Sequence, residues 1–248
     1  MGLAGPSRPS RRVRHSVAKK NLRTDALLVR RVPVGEADFI VTLFTEARGI
    51  LSAVARSARK PSKRVAALEP MHLLRVSLDE REHQDLLVLV EASIAHPRLH
   101  LVEALAPMEA AGRALRWIRS VAPPGTREPA LYATLNELLD ALDDPSRGNP
   151  EPRLATGGLR ILADIGFALV LDRCVRCGRS CPLDAPACLD PAFGGLVCRA
   201  CGGARLVVRS DLRARIDAAS AGDDHALRDE DARIVVDLVD AVIAAHVR

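Results

Sequence analysis

Two pairs of cysteines with the same internal spacing are the clearest chemical signal in the sequence. Cys174 and Cys177 form one Cys-x-x-Cys pair, and Cys198 and Cys201 form a second pair after twenty intervening residues. Each pair places two thiolates on one tight turn, and two such turns facing each other supply four sulfur ligands at tetrahedral angles. The spacing predicts one structural Zn²⁺ ion, in a closed site that leaves no position for water or substrate.

Two disulfides are the alternative use of these four cysteines. Disulfides suit a small secreted domain, and the sequence lacks the apolar run of a secretory signal. Cys181 is close enough in sequence to compete as a metal ligand, but the simpler interpretation leaves Cys181 and Cys188 as free thiols. A zinc deaminase is excluded, because the sequence has no His-x-Glu motif and neither cysteine pair follows a proline.

A dense group of positive charge in residues 56–64 is the second signal. This segment contains no acid and has five basic residues, namely Arg56, Arg59, Lys60, Lys63 and Arg64. The functional interpretation is a loop that contacts nucleic-acid phosphates, and the alternative is an ordinary solvated loop. Aromatic residues make up only 2% of the chain, so binding would depend on phosphates rather than on stacked bases. Arg30 and Arg31 extend the predicted DNA-contacting set.

Positive charge is also concentrated at the start of the chain. Residues 1–23 contain seven of the 36 basic residues and none of the 31 acidic ones, so the remainder of the chain is slightly acidic. Such a composition predicts a disordered basic tail over residues 1–23 that adds reach towards nucleic acid. No segment is apolar enough to cross a bilayer, so no membrane partner is expected, and a reducing compartment fits the predicted zinc site.

The elements that must position these residues fall into two groups, a β-rich part and a helical part. Residues 24–98 are typical of short strands, predicted at 26–31, 39–45, 49–55, 71–78 and 86–92. Five short strands in so few residues favour a small closed barrel of the oligonucleotide-binding (OB) type, with the basic segment between its third and fourth strands. Phe39 and Phe44 are five positions apart, an odd number, so they are predicted to face opposite sides of one strand.

Residues 99–248 show helical periodicity, interrupted by the cysteine pairs within a zinc-binding insertion at 172–205. Helices are predicted at 100–122, 129–143, 154–171, 212–221 and 229–247. The predicted fold class is therefore α+β and multidomain, with an N-terminal OB-fold β-barrel followed by an all-α helical domain that carries an inserted zinc-knuckle motif with four cysteine ligands. No P-loop, Gly-x-Ser-x-Gly or catalytic constellation is present, so no enzymatic activity is predicted.

Taken together, these motifs resemble the RecO family of bacterial DNA repair proteins over roughly residues 24–201. The segment of basic residues matches the basic segment of the family, although Ser57 stands where many members have glycine. Four further groups of segments carry the resemblance, namely 35–45 with 49–52 at the start of the barrel, 159–167, 174–178 and 193–201.

The resemblance implies a DNA-binding mediator of repair and recombination after DNA damage, acting in the RecFOR pathway in the bacterial cytoplasm, at the nucleoid. Such a protein binds single- and double-stranded DNA, anneals complementary strands, partners with RecR, contacts single-strand-binding protein (SSB) and helps to load RecA. Because the SSB tail is acidic with an apolar end, a basic rim on the helical domain is expected to bind it. Arg113, Arg116 and Arg119 are the candidates for that rim.

Two other classes of protein use similar parts. One is an enzyme that positions nucleic acid on an OB barrel and modifies it, which requires a reacting constellation that the sequence does not show. The other is a zinc-ribbon transcription or assembly factor that binds proteins, for which salt-insensitive partner binding and no strand annealing are expected.

Overall fold

A closed barrel of five strands forms the N-terminal part of the computed structural model, which describes residues 20–80 and 86–246. The strands are β1 (Lys20–Val34), β2 (Asp38–Thr45), β3 (Gly49–Ala55), β4 (Leu73–Glu80) and β5 (Leu87–His96). Their order around the barrel is β1-β2-β3-β5-β4, and β4 pairs with β1 to close it. Only the β3–β5 pairing among these five strands is parallel. The predicted OB-like barrel is confirmed.

Alternation of side chains explains how the barrel closes. Val41 and Leu43 of β2 point to the interior, where they pack with small residues such as Ala53 and Ala55 of β3. Phe44 points the other way and packs in the core of the helical part, whereas Phe39 packs against the barrel interior. The prediction that the two phenylalanines face opposite sides is confirmed.

The first strand is longer than the sequence pattern predicts. It begins at Lys20, so residues 20–23, which the composition places in the tail, pair with residues 77–80 of β4. The sequence pattern does not indicate this part of the strand, because Leu22 is its only apolar residue. Leu22 packs inwards, while the polar Asn21 and Arg23 point outwards. The rest of the predicted tail, residues 1–19, lies outside the described residues.

Six α-helices that share one apolar core follow the barrel in the described chain, together with a small sheet. They are α1 (His100–Glu103), α2 (Leu105–Val121), α3 (Pro129–Asp143), α4 (Glu151–Asp164), α5 (Ser210–Ser220) and α6 (Asp229–His246). Two glycines of α4 allow close packing: a Cβ at Gly157 would lie 2.6 Å from Leu138, and one at Gly158 would lie 2.9 Å from the Trp117 ring. Trp117 is buried in the core.

Two of the predicted helices are wrong in their extent. The helix predicted over 100–122 is broken at Ala104, whose backbone is extended, and α2 then begins with Pro107 in its first turn. The helix predicted over 154–171 ends at Asp164, and Gly166 follows with φ of +83°. Glycine adopts that left-handed conformation without steric cost, so the chain leaves the helix there.

A four-stranded sheet carries the cysteine pairs, and the sequence pattern does not predict it. Its strands are β6 (Val170–Cys174), β7 (Ala187–Asp190), β8 (Gly195–Leu196) and β9 (Leu206–Val208), in the order β6-β8-β7-β9. One buried residue from each strand packs in the helical core, namely Leu171, Leu189, Leu196 and Val208. The sheet is therefore anchored on the helices rather than being a separate module.

None of the helices formed by the described residues combines the length and the apolar character that a bilayer crossing requires.

Candidate metal centre and nucleic-acid interface

The four cysteines of the two pairs converge at one point beside the small sheet. The Sγ atoms of Cys174, Cys177, Cys198 and Cys201 all lie within 4.8 Å of one another. Cys174 is buried at the end of β6, while Cys177 is exposed on the turn that follows it. Cys181 and Cys188 do not belong to this cluster. The structure thus brings together all four predicted metal ligands.

Glycines shape the turns that hold each pair. The N–H of Gly178 donates to the carbonyl of Cys174 at 2.9 Å, and the N–H of Gly203 donates to the carbonyl of Cys198 at 3.0 Å. Both glycines have positive φ, +72° and +64°, a conformation that a residue with a Cβ adopts at a cost. The N–H of Cys198 also points at the sulfur of Cys174, 3.3 Å away. Such N–H donors stabilise a thiolate.

The sulfur atoms are spaced as the ligands of one metal ion, and no disulfide joins any two of the six cysteines. All six cysteines are free, and the Sγ atoms of Cys177 and Cys198 are 3.7 Å apart. A disulfide bond is only about 2.05 Å long. Two ligands of one tetrahedral metal with bonds of about 2.3 Å lie about 3.8 Å apart. The four sulfur atoms are therefore close enough together to hold one metal ion.

The pKa values within the cluster diverge. Backbone N–H donors, that of Cys198 foremost, lower the pKa of Cys174 to about 6. The pKa of Cys201 is raised to about 12, chiefly by its side-chain hydrogen bonds to Cys198 and Cys177. Four thiols this close cannot all lose their protons without a compensating cation. A metal ion held by the four sulfur atoms would supply that cation, because each sulfur ligand of such an ion is a thiolate.

Arg213 of α5 holds the chain on both sides of the first cysteine pair in place. The sequence analysis did not predict this role. Its side chain is fully buried, and its guanidinium donates to four backbone carbonyls, one on β6 and three on the chain between β6 and β7. The acceptors are those of Leu171, Cys181, Pro182 and Ala185, at 2.6, 2.7, 2.8 and 2.5 Å. The available signal was its position on the buried face of a helix, next to Leu212 and one turn before Ile216.

The basic loop, defined as residues 56–64, lies on the surface between β3 and β4. All five of its basic residues are exposed. The backbone of the loop is fastened to the barrel: the N–H of Arg59 donates to Ala37, and the N–H of Ala92 on β5 donates to the carbonyl of Arg64. Ser57 has a φ of +52°, which accounts for glycine being acceptable at this position. The loop is thus a supported cationic surface.

Arg30 and Arg31 have different environments. Arg30 is exposed. Arg31 donates to the carbonyl of Leu68 at 2.8 Å and to the carboxylate of Glu69 at 2.9 Å, and its guanidinium lies 5.5 Å from the centre of the Phe39 ring. Of the two, Arg30 has the charge that is more available to a ligand.

The three arginines predicted on α2 do not point the same way. Arg113 forms ion pairs with Asp237 and Asp240 of α6. The guanidinium of Arg119 donates to the carbonyl of Val29 on β1 at 3.0 Å. Arg116 is exposed.

Arg119 lies in a local concentration of positive charge where α2 meets the barrel. Burial lowers its pKa, and the neighbouring charges of Arg30 and Arg116 lower it further. These two arginines therefore share one positive surface with Arg119, whereas Arg113 faces α6.

Comparison with known sequences connects both parts of the structure to one family. The model of the family "Recombination protein O N terminal" matches residues 20–98, and that of "Recombination protein O C terminal" matches residues 110–248. The first match spans the barrel and the second spans most of the helices and the four-cysteine cluster.

Individual relatives agree with the family models. The DNA repair protein RecO of Geobacter sulfurreducens is 34% identical over 182 residues, covering 73% of this chain and 73% of the relative. The protein of the same name from Syntrophotalea carbinolica is 32% identical over 183 residues, 73% of this chain and 70% of the relative. That from Anaeromyxobacter dehalogenans (strain 2CP-1) is 36% identical over 177 residues, 71% and 68% respectively. The chain belongs to the RecO family of DNA repair proteins.

Proposed function

We propose that this chain is a recombination mediator without catalytic activity of its own. It binds single- and double-stranded DNA, anneals complementary strands and helps RecR to load RecA onto SSB-coated DNA. The observation that carries the proposal is the basic loop: five exposed basic residues and no acid on the edge of a closed OB-like barrel, in a member of the RecO family. Lysine and arginine at such a loop contact phosphates, which every DNA sequence offers.

Annealing follows from the same charge. Two complementary strands repel each other through their phosphates, and a protein that neutralises phosphates on both strands lowers that repulsion. Counterions are released when basic residues bind a nucleic-acid backbone, so affinity falls steeply as salt rises. The scarcity of aromatic residues in the chain, 2%, supports contact through phosphates rather than through stacked bases.

The decisive experiment is annealing of complementary oligonucleotides, bare and coated with SSB, over a salt series. Salt-sensitive annealing that persists on coated strands is the expected result. A folded sample with its metal bound that anneals neither bare nor coated strands would contradict the proposal. Salt-insensitive binding of a protein partner by that same sample would favour a protein-binding zinc module instead.

We propose Zn²⁺ as the metal of the four-cysteine cluster. Four thiolates in a tetrahedral arrangement are typical of zinc or of iron–sulfur sites, and a single closed four-thiolate site on paired knuckle turns favours zinc in a structural role. Elemental analysis of the purified protein tests this, with one equivalent of zinc per chain expected.

The contact with the SSB tail is proposed along α2. Leu105 is 65% exposed and Met108 is 39% exposed. Arg116 follows eight residues after Met108 and is exposed as well. An acidic peptide with an apolar end requires such an apolar strip beside a positive charge. We propose the leading part for Arg116, with Arg119 behind it, and a lesser part for Arg113 because it already forms ion pairs with α6.

An SSB-tail peptide is expected to bind several-fold more weakly to an Arg116→Ala variant, because an exposed ion pair contributes up to about 1 kcal/mol. The same change at Arg233, which is exposed on α6, provides the control. Equal binding by the two variants would remove Arg116 from the site.

A further inference from the structure

We propose that the barrel carries a second stretch of phosphate-binding surface, a groove on the outer face of β1, β4 and β5 in which Arg23 and Arg75 extend the contacts begun by the basic loop. The ligand is the phosphodiester backbone of a nucleic-acid strand. This inference rests on the proposed function and adds to it a path for the bound strand.

Strand pairing builds the groove from outward-facing residues. Arg23 pairs with Ser77, and Asp25 pairs with Arg75, across β1 and β4; Arg75 in turn pairs with Ser93 on β5. These residues alternate with side chains that fill the barrel, such as that of Val76. The resulting groove has a volume of about 630 Å³.

The basic loop reaches the rim of this groove. Its last residue, Arg64, accepts a hydrogen bond at its carbonyl from the N–H of Ala92, and the next residue but one, Ala66, donates back to the carbonyl of Ala92 at 2.9 Å. This pairing places the loop along β5. Lys63 and Arg64 consequently line the groove together with Arg23 and Arg75.

Charge in the groove favours an anionic ligand. Two carboxylates, those of Asp25 and Glu91, face four cations there. Arg75 is already bound to Asp25 at 3.0 Å. Among the residues that the structure describes, the other three cations (Arg23, Lys63 and Arg64) form no ion pair with a carboxylate. Positive charge therefore remains for a phosphate to neutralise.

The opposite side of the barrel is less accessible. OB barrels commonly bind oligonucleotides on the face of their second and third strands. Here Phe44 of β2 is buried in the helical core, and Ile50 of β3 is bridged to Pro124 and accepts a hydrogen bond from Gly125. The helical part thus covers one end of that face. The groove over β1, β4 and β5 remains open and continues directly from the basic loop.

The lining of the groove also indicates how the strand is held. It contains no aromatic ring, and its uncharged polar side chains are short hydroxyls such as that of Ser93. Bases therefore have no ring to stack on, and the contacts are to phosphates alone. An abasic phosphodiester oligomer is expected to compete for this surface about as well as an oligonucleotide of the same length.

Charge reversal in the groove tests the inference. Binding of a fluorescent oligo(dT) strand is measured by anisotropy over a NaCl series for the full chain and for an Arg23→Glu variant. We expect the variant to bind roughly fivefold more weakly or worse at low salt. Arg233→Glu on α6 is the matched control, since it makes the same charge change at an exposed site on another part of the molecule, and it should change binding less than twofold.

A second variant separates the groove from the proposed function. Arg56→Glu changes the basic loop outside the groove and is expected to weaken binding whichever path the strand takes. Weakening by Arg56→Glu but not by Arg23→Glu would overturn the groove and leave the function standing. No binding by the unaltered chain would instead overturn the proposed function.

A neutral variant covers the case in which Arg23→Glu disturbs the barrel. If its circular dichroism departs from that of the unaltered chain, Arg23→Gln is used. Loss of one phosphate contact should then reduce the salt slope of log K by about 0.7. An unchanged slope would overturn the inference.

Discussion

At the scale of single residues, the two groups that decide the behaviour of this protein are thiolates and guanidinium groups, and each depends on its backbone surroundings. N–H donors lower the pKa of Cys174 and prepare it as a metal ligand. Arg213 holds the adjacent chain through four carbonyls, with no carboxylate involved. Residues outside the four-cysteine cluster therefore shape the chain around it.

Replacing Cys174 by serine is expected to remove the metal. The buried sulfur is one of four ligands, and a hydroxyl is a far weaker ligand than a thiolate. Metal content should fall from one equivalent to near zero, and the free energy of unfolding should fall by roughly 4 kcal/mol or more. Elemental analysis and denaturant unfolding measure these. Cys181→Ser, outside the cluster, is the control and should retain the metal; retention by Cys174→Ser would contradict the assignment.

His72 is expected to make stability depend on pH. It is buried, it accepts a hydrogen bond from the N–H of Arg98, and burial followed by the charge of Arg98 lowers its pKa. The unfolded chain therefore binds a proton more readily than the native one. The stability due to neutral His72 is fully present above the unfolded pKa of about 6.5. It is lost as pH falls from there through the lower pKa of His72 in the folded protein.

The pH effect is measured against a His72→Asn variant, because asparagine offers an acceptor oxygen near the position of Nδ1 but does not titrate. Denaturant unfolding between neutral and mildly acidic pH should show a steeper loss of stability in the unaltered protein. Parallel curves for the two proteins would mean that His72 is not responsible.

At the scale of secondary-structure elements, the helices are positioned by glycine contacts and by ion pairs between elements distant in sequence. Gly158 of α4 lies against the ring of Trp117 on α2 and against Val239 on α6. Arg113 of α2 binds Asp240 of α6. These contacts join three helices around one core.

A pair of glycine-to-alanine changes tests this packing. A Cβ at Gly158 would lie 2.9 Å from the Trp117 ring and 3.0 Å from Val239, so Gly158→Ala should destabilise the protein by about 1–3 kcal/mol. At Gly112 on α2 the nearest atom is the end of the Arg116 side chain, 4.0 Å away. Gly112→Ala should therefore stabilise the helix by about 0.5–1 kcal/mol. Thermal unfolding of both variants measures the difference, and equal effects would contradict the close approach.

The same elements show which features the sequence alone could predict. The barrel, α3 and the cysteine ligands follow from local patterns: alternation of apolar residues, helical periodicity that begins at Pro129, and Cys-x-x-Cys spacing. The strands of the small sheet have two to five residues, too few to leave a periodic pattern, and they are stabilised by pairing with one another.

The partners of side chains on a helix are a further feature that the sequence alone does not predict. The spacing of Arg113, Arg116 and Arg119 predicts neighbours on α2, but tertiary contacts decide their partners. Asp240, which binds Arg113, is 127 residues away in the sequence. Similarly, the strand pairing that aligns Arg23 and Arg75 at one groove joins residues far apart in the chain.

At the scale of the whole molecule, the barrel and the helices share one apolar junction, with Leu27, Val29 and Phe44 of the barrel buried in the helical core. The basic loop projects from the barrel, whereas the four cysteines lie in the helical part. Nucleic-acid binding and metal-dependent stability are therefore expected to be separable by mutation.

Replacing the five basic residues of the loop by alanine tests that separation. Affinity for single-stranded DNA at low salt should fall by roughly a hundredfold, with a shallower salt dependence, because several phosphate contacts are lost. Metal content should be unchanged. The free energy of unfolding should change by about 1 kcal/mol at most, since the side chains are exposed and, among contacts with described residues, only Arg59 loses a side-chain hydrogen bond, the one to Gly35.

The control for that variant removes an equal positive charge elsewhere. Five exposed arginines outside the barrel are changed to alanine, four of them around the small sheet and one on α6, namely Arg179, Arg199, Arg205, Arg209 and Arg233. These changes remove long-range attraction, which salt screens over about 8–10 Å, but none of the proposed phosphate contacts of the loop. They should therefore affect DNA binding far less than the changes in the loop. Equal losses in the two variants would mean that net charge, rather than the loop, attracts the DNA. A loss confined to the loop variant, with metal retained in both, would place the phosphate contacts on the barrel.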